Sequence, residues 1–73
     1  MVTHTFKLKS EYIELVKLIK LLGIAETGGH AKNMIDEGEV MLNGIRESRK
    51  RAKLRPGDKV EMADITILIE AGN

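Results

Sequence analysis

Seventy-three residues without a cysteine make a single domain, 1–73, with a modest core, because a chain this short buries only roughly 60% of the surface it exposes when unfolded. They exclude a disulfide framework, a thiolate metal site and a thiol nucleophile, and leave little room for a deep catalytic cleft. The net charge is only +1, yet Arg46, Arg49, Lys50, Arg51, Lys53 and Arg55 stand against the single Glu47, a local charge of +5 that leaves −4 for the remainder; such one-sided charge is the footprint of a small domain that meets a polyanion on one face.

The opening MVTHTFKLKS lacks the apolar core of a signal peptide, and the apolar stretch from Tyr12 to Ile24 is broken by Glu14, Lys17 and Lys20. Neither export nor a membrane span is expected, and a cytoplasmic protein is. From Thr3 to Leu8, the residues His4, Phe6 and Leu8 alternate with Thr5 and Lys7, the period of a half-buried strand at a sheet edge. Ser10 is placed to cap a helix carrying Glu11 and Glu14 early and Lys17 and Lys20 late, a polarity that suits the helix dipole. Its apolar positions Ile13, Leu15, Val16, Leu18, Ile19 and Leu22 span so wide an arc that burial on more than one side is expected, and Gly23 ends it.

Thr27 offers a hydroxyl to the free amides of a second helix, in which Ala31, Met34 and Ile35 form an apolar stripe and Gly38 gives the stop. His30, Lys32, Asn33 and Asp36 fall off that stripe. Gly28 and Gly29 are poor helix formers in the first turn, and two explanations fit them. One is close approach of a phosphate to backbone amides at a helix N-terminus; the other is a tight opening turn or packing against the first helix.

Asn43-Gly44 between Val40-Met41-Leu42 and Ile45-Arg46 is a strong hairpin signal, because both turn residues tolerate positive φ. With these two as the loop, Leu42 pairs with Ile45 and Met41 with Arg46, so Val40, Leu42 and Ile45 are expected inward and Met41 and Arg46 outward. The run from Glu47 to Lys53 reads as a loop or ragged strand end. Arg55-Pro56-Gly57-Asp58 reads as a turn, with Asp58 capping it, and Lys59 to Met62 and Ile65 to Ile69 as two strands joined around Ala63-Asp64. The order predicts an α+β domain: two helices packed on a small, mostly antiparallel sheet of four to five strands.

The stretch LLGIAETGGHAKNMIDEGEVMLNG, followed by a basic run and then LRPGDKVEM, resembles the S-four RNA-binding domain, named after ribosomal small-subunit protein four, and is similar in particular to its small stand-alone bacterial members. The resemblance covers about residues 13–62. It rests on several features in order: Leu22-Gly23, the capped helix with Ala31-Lys32, Glu37-Gly38-Glu39-Val40, Leu42-Asn43-Gly44 and Pro56-Gly57-Asp58. It implies the family's alpha-L motif, in which the start of the second helix and the strand and basic loop that follow grip structured RNA. The contact positions it implies are Thr27, Gly28, Gly29, His30, Lys32 and Asn33, and Arg46, Arg49, Lys50 and Arg51, with Lys53 continuing the basic run. Where many members carry an arginine straight after the capping hydroxyl residue, this chain has Gly28.

Arginine offers a planar fork to phosphate and lysine a mobile point charge, so the basic run suits a nucleic-acid backbone. Phe6 and Tyr12, the only aromatics, are expected in the core, which argues against binding by stacking bases between aromatics. His30 reads first as an exposed helix residue and His4 as a structural one; two histidines without cysteine predict no metal site. Met34 and Met62 read as core or partner-contact residues, with Met41 turned outward. Asp36, Glu37 and Glu39 are expected to repel RNA from one side or to pair with the basic loop.

No nucleophile with a base, no metal cluster and no nucleotide loop is visible, so neither an enzyme nor a cofactor is expected. The leading reading is a non-catalytic, ribosome-associated binder of structured RNA, ribosomal or transfer RNA being the candidates. The alternative is a protein-interaction module, accessory to a ribosome or nucleic-acid enzyme, that docks an acidic protein surface.

Overall fold

A computed structural model describes residues 2–72. In chain order the elements are β1 (Val2–Leu8), β2 (Ile13–Glu14), α1 (Leu15–Leu21), α2 (Gly28–Asp36), β3 (Val40–Leu42), β4 (Ile45–Arg46), β5 (Lys53–Leu54), β6 (Lys59–Met62) and β7 (Ile65–Ala71). Five strands form one sheet in the order β1-β7-β6-β3-β4, and β2 and β5 form a separate antiparallel ladder. The main sheet is mostly antiparallel, with β1 running parallel to β7 along one edge. The fold is therefore the expected α+β arrangement of two helices and a five-stranded sheet.

Period-two alternation sorts the sheet's side chains. Val60 and Met62 on β6 and Ile67 and Ile69 on β7 are buried, while Glu61 and Thr66, paired in register, take the other face. The buried row joins Val40, Leu15, Leu18 and Ile19 of α1, and Ala31 and Ile35 of α2 in one core. Each fully buried leucine, isoleucine or valine stabilises the fold by about 1.5–3 kcal/mol relative to exposure.

Both helices end alike. Gly23 follows α1 at φ +76°, with the amides of Gly23 and Ile24 donating to the carbonyls of Lys20 and Ile19. Gly38 follows α2 at φ +77°, with Gly38 and Glu39 donating to Ile35 and Met34. This pair of reverse bonds satisfies the last helical carbonyls and needs a left-handed residue that glycine adopts without Cβ strain. The Asn43-Gly44 hairpin has φ of +53° and +84° and the expected register, Leu42 with Ile45 and Met41 with Arg46.

Four expectations are corrected. Ser10 does not cap α1: its hydroxyl donates to the Tyr12 carbonyl at 2.8 Å, and the helix begins only at Leu15, because Ile13–Glu14 pair with β5 instead. Ile45 shares a side with Leu42 by register but is 73% exposed, since β4 is a two-residue edge strand of the sheet. His4 is exposed on the edge strand β1, and Tyr12 is at the surface as well.

Candidate nucleic-acid interface

The basic run is fastened down rather than loose. Helix α1 has free amides at its N-terminus, as every helix does, and here Leu15 and Val16 donate theirs to the carbonyls of Ala52 and Lys50 at 2.9 Å each. The amide of Ala52 closes a turn onto the Arg49 carbonyl, Ala52 and Leu54 are buried, and Leu54 pairs with Ile13. Alternation between buried small or apolar residues and exposed cations thus fixes the backbone while Lys50, Arg51, Lys53 and Arg55 stay at the surface.

This segment and one side of α2 border an open groove of about 840 Å³. Its cations are Lys32 from α2 and Arg49, Lys50, Arg51, Lys53 and Arg55; Ser48 and Ala52 complete the loop side. Asp36, one helical turn beyond Lys32, is the single carboxylate in the lining. So much positive charge around a concave, open surface concentrates field on any anion that enters it.

Arg49 is the most constrained of the six. Its Nε and Nη2 donate to Glu47 Oε2 and Oε1 at 3.1 Å each, and its backbone amide reaches the same carboxylate at 3.1 Å. The Arg49 side chain, with its backbone amide, holds the Glu47 carboxyl below its ordinary range, against a smaller upward push from burial, and Glu47 raises Arg49 in turn. The guanidinium fork of Arg49 is therefore already engaged, whereas no ion pair forms on Lys50, Arg51, Lys53 or Arg55 among the described residues.

At the start of α2, the Thr27 Oγ1 accepts the His30 amide at 3.1 Å, as the sequence predicts. The hydroxyl proton of Thr27 and the amides of Gly28 and Gly29 remain at the open end of the helix. Neither glycine has a positive φ, a Cβ at Gly28 would meet nothing within 4 Å, and one at Gly29 would meet only Thr27 Oγ1 at 3.9 Å. Packing against α1 therefore does not account for either glycine. His30, Lys32 and Asn33 are exposed, but of these only Lys32 borders the groove.

Arg46 lies elsewhere: its Cδ, Nε and Cζ cover Gly38, within 3.0–3.3 Å of where a Cβ would stand. Asp36, Glu37 and Glu39 form no ion pair with the basic loop among the described residues. Sequence reasoning left out two contributors. Arg55 borders the groove, and its inclusion in the charge run was the available signal. Tyr12, 37% exposed, lies beneath Lys53 Nζ at 4.9 Å and Arg55 Cζ at 5.9 Å from the ring centroid; cation–π contacts of this kind contribute about 0.5–1 kcal/mol at exposed sites. Only the β2–β5 pairing reveals that juxtaposition. Among the described residues no group of three or more His, Asp or Glu could hold a metal ion, and no helix is long and apolar enough to cross a membrane.

A pair of helices on a mostly antiparallel sheet, with a basic groove between the second helix and the loop after the hairpin, defines a small alpha-L-type α+β module. The chain belongs to the S4 domain family, whose profile matches residues 6–70. It is 41% identical over 68 residues to the "Putative RNA-binding protein YbcJ" of Escherichia coli, covering 92% of this chain and 97% of that one. It is 34% identical over 59 residues to the "Probable ribosome maturation protein RlbA" of Bacillus subtilis, covering 81% and 83% respectively. The solution structure of Escherichia coli YbcJ, described as revealing an alfaL motif involved in RNA binding, superposes with a TM-score of 0.65 at 37% identity, covering 97% of this chain and 89% of that one.

Proposed function

We propose that this chain is a non-catalytic, cytoplasmic RNA-binding protein that takes the phosphate backbone of a folded RNA into the groove between α2 and the Arg49 to Arg55 segment. The observation that carries the reading is the fastening of that segment by the first amides of α1, which presents Lys50, Arg51, Lys53 and Arg55 together with Lys32 around one concavity. A backbone already fastened spares the cost of ordering the loop on binding, which leaves only the side chains to be ordered. The start of α2, with Thr27, Gly28, Gly29, His30 and Asn33, supplies backbone and side-chain donors beside that groove, and the unencumbered glycines let a phosphate approach closely. Arg46, which rests on Gly38 outside the groove lining, is assigned no groove contact in this reading. The names of the relatives support RNA as the ligand, and that of the Bacillus relative makes ribosomal RNA the first to try.

The test is titration of nuclease-treated protein with an RNA hairpin and the DNA hairpin of the same sequence, each at low and moderate salt. Tighter RNA binding, with log affinity falling against log salt at a slope of about −3 for four or five phosphate contacts, is the expected outcome. Equal, salt-insensitive binding of both, or none, contradicts it.

A second reading, a protein partner docked at the hairpin, is favoured by the exposure of Ile45 and Met41 at the β3–β4 edge. Partners retained in a pull-down after RNase treatment support that reading, and their loss supports RNA.

A further inference from the structure

The β2–β5 ladder has two faces. Ile13 and Leu54, paired in register, are buried. Glu14 stands opposite Lys53, and one step further along the same register sets Tyr12 against Arg55. Although Glu14 is the direct cross-strand neighbour of Lys53, the two form no salt bridge; the Lys53 ammonium lies over the Tyr12 ring at 4.9 Å, with the Arg55 guanidinium at 5.9 Å. Tyr12 does not itself border the basic groove, but both cations resting on it do. The backbone at Tyr12 is held in place by the Ser10 hydroxyl on its carbonyl at 2.8 Å.

We propose that Tyr12, Lys53 and Arg55 form a second phosphate-binding station at the far end of the groove, with Tyr12 as the positioning residue that keeps both cations raised over it. The station rests on the RNA reading above and extends it: the ligand is a backbone phosphate of the same RNA, one or two nucleotides beyond those held by Lys50 and Arg51. A quadrupolar ring face attracts a cation without neutralising it, unlike the carboxylate that engages Arg49. Lys53 and Arg55 therefore keep their full charge for phosphate while losing the freedom that long side chains otherwise surrender on binding.

The test compares Tyr12→Phe, which keeps the ring, with Tyr12→Leu, which keeps apolar bulk and removes the quadrupole, and with Arg55→Gln. Two readouts are taken after thermal melting confirms folding: the ring-current shifts of the Lys53 and Arg55 side-chain protons in the free protein, and RNA-hairpin affinity as a function of salt. Tyr12→Phe is expected to match the unaltered chain in both. Tyr12→Leu is expected to lose the ring-current shifts, to weaken binding roughly three- to tenfold and to flatten the salt slope by about 0.7–1.4, the loss of one to two phosphate contacts. Adding Arg55→Gln to Tyr12→Leu is then expected to cost less than Arg55→Gln alone. Normal affinity and slope in folded Tyr12→Leu overturn the inference while leaving the RNA reading in place, and so does an equal loss in Tyr12→Phe, which would assign the effect to the hydroxyl. Failure of the unaltered chain to bind the hairpin overturns the RNA reading itself, and this station with it.

Discussion

Asn43 and Asp58 bind each other across two turns that the chain separates widely. The Asn43 Nδ2 donates to Asp58 Oδ1 at 3.0 Å, Asn43 Oδ1 accepts the Lys59 amide at 2.9 Å, and Asp58 Oδ2 accepts the Arg55 amide at 2.8 Å. The hairpin tip is thereby tied to the turn that follows the basic segment, and Arg55, a groove cation, is held by its backbone at that knot. Asp58→Ala removes two of these bonds and is expected to destabilise the fold by about 1–2 kcal/mol. Asn43→Ala also places an alanine at φ +53° and is expected to cost about 2–3 kcal/mol, with Asn43→Gly recovering the conformational part. Urea denaturation of the three variants checks the order.

The glycines at the start of α2 set stability against function. Since neither φ nor packing requires them, Gly28→Ala with Gly29→Ala is expected to raise stability by about 0.5–1 kcal/mol through better helix propensity. The same pair is expected to lower RNA affinity roughly tenfold, the loss of about one charged hydrogen bond from a backbone amide. A double variant that is stabilised and binds RNA normally would remove α2's start from the interface.

Ala63 carries φ +50° in the two-residue connection between β6 and β7. A left-handed alanine costs about 1 kcal/mol, so Ala63→Gly is expected to stabilise the domain by about 0.5 kcal/mol after the larger unfolded-state entropy of glycine is set against it. Denaturation midpoints that fall rather than rise contradict this.

Glu47 titrates lower in the folded chain than its ordinary value of 4.5, chiefly through the Arg49 side chain. A depressed carboxyl releases its proton more readily when folded, so its stabilisation is complete above the ordinary carboxylate range and is lost as pH falls through it. The stability gap between the unaltered chain and Glu47→Gln is expected to be constant near neutrality and to shrink below about pH 4.5 in a denaturation series between about pH 3 and pH 7. A gap that persists at the acid end would assign the difference to packing of the largely covered Glu47 side chain instead.

What the sequence made legible was whatever near neighbours decide. The Thr27 cap, the glycine stops at Gly23 and Gly38, the Asn43-Gly44 register and the Arg55 to Asp58 turn each depend on a few adjacent residues, and each stands in the structure. Long-range pairing was not legible. Ile13 and Glu14 carry a helical pattern, but Leu54 and Lys53 claim them for a ladder, which delays α1 to Leu15 and brings Tyr12 to the surface beneath two cations. The parallel partnership of β1 with β7 joins the two ends of the chain and leaves no local mark. In the candidate site, the charge run marked five of the six groove cations and the family resemblance the sixth, Lys32, but only the fold separates these from Arg46, which rests on Gly38 instead.

On the proposed reading, RNA lies in the groove between α2 and the Arg49 to Arg55 segment. Amide-resolved NMR titration with an RNA hairpin tests it most directly, run on the unaltered chain and on Lys50→Glu with Arg51→Glu. Shifts concentrated at Gly28 to Asn33 and Arg49 to Arg55, and absent in the folded double variant, are the predicted result. Shifts centred on the β3–β4 hairpin around Met41 and Ile45, or undiminished in the double variant, would contradict it.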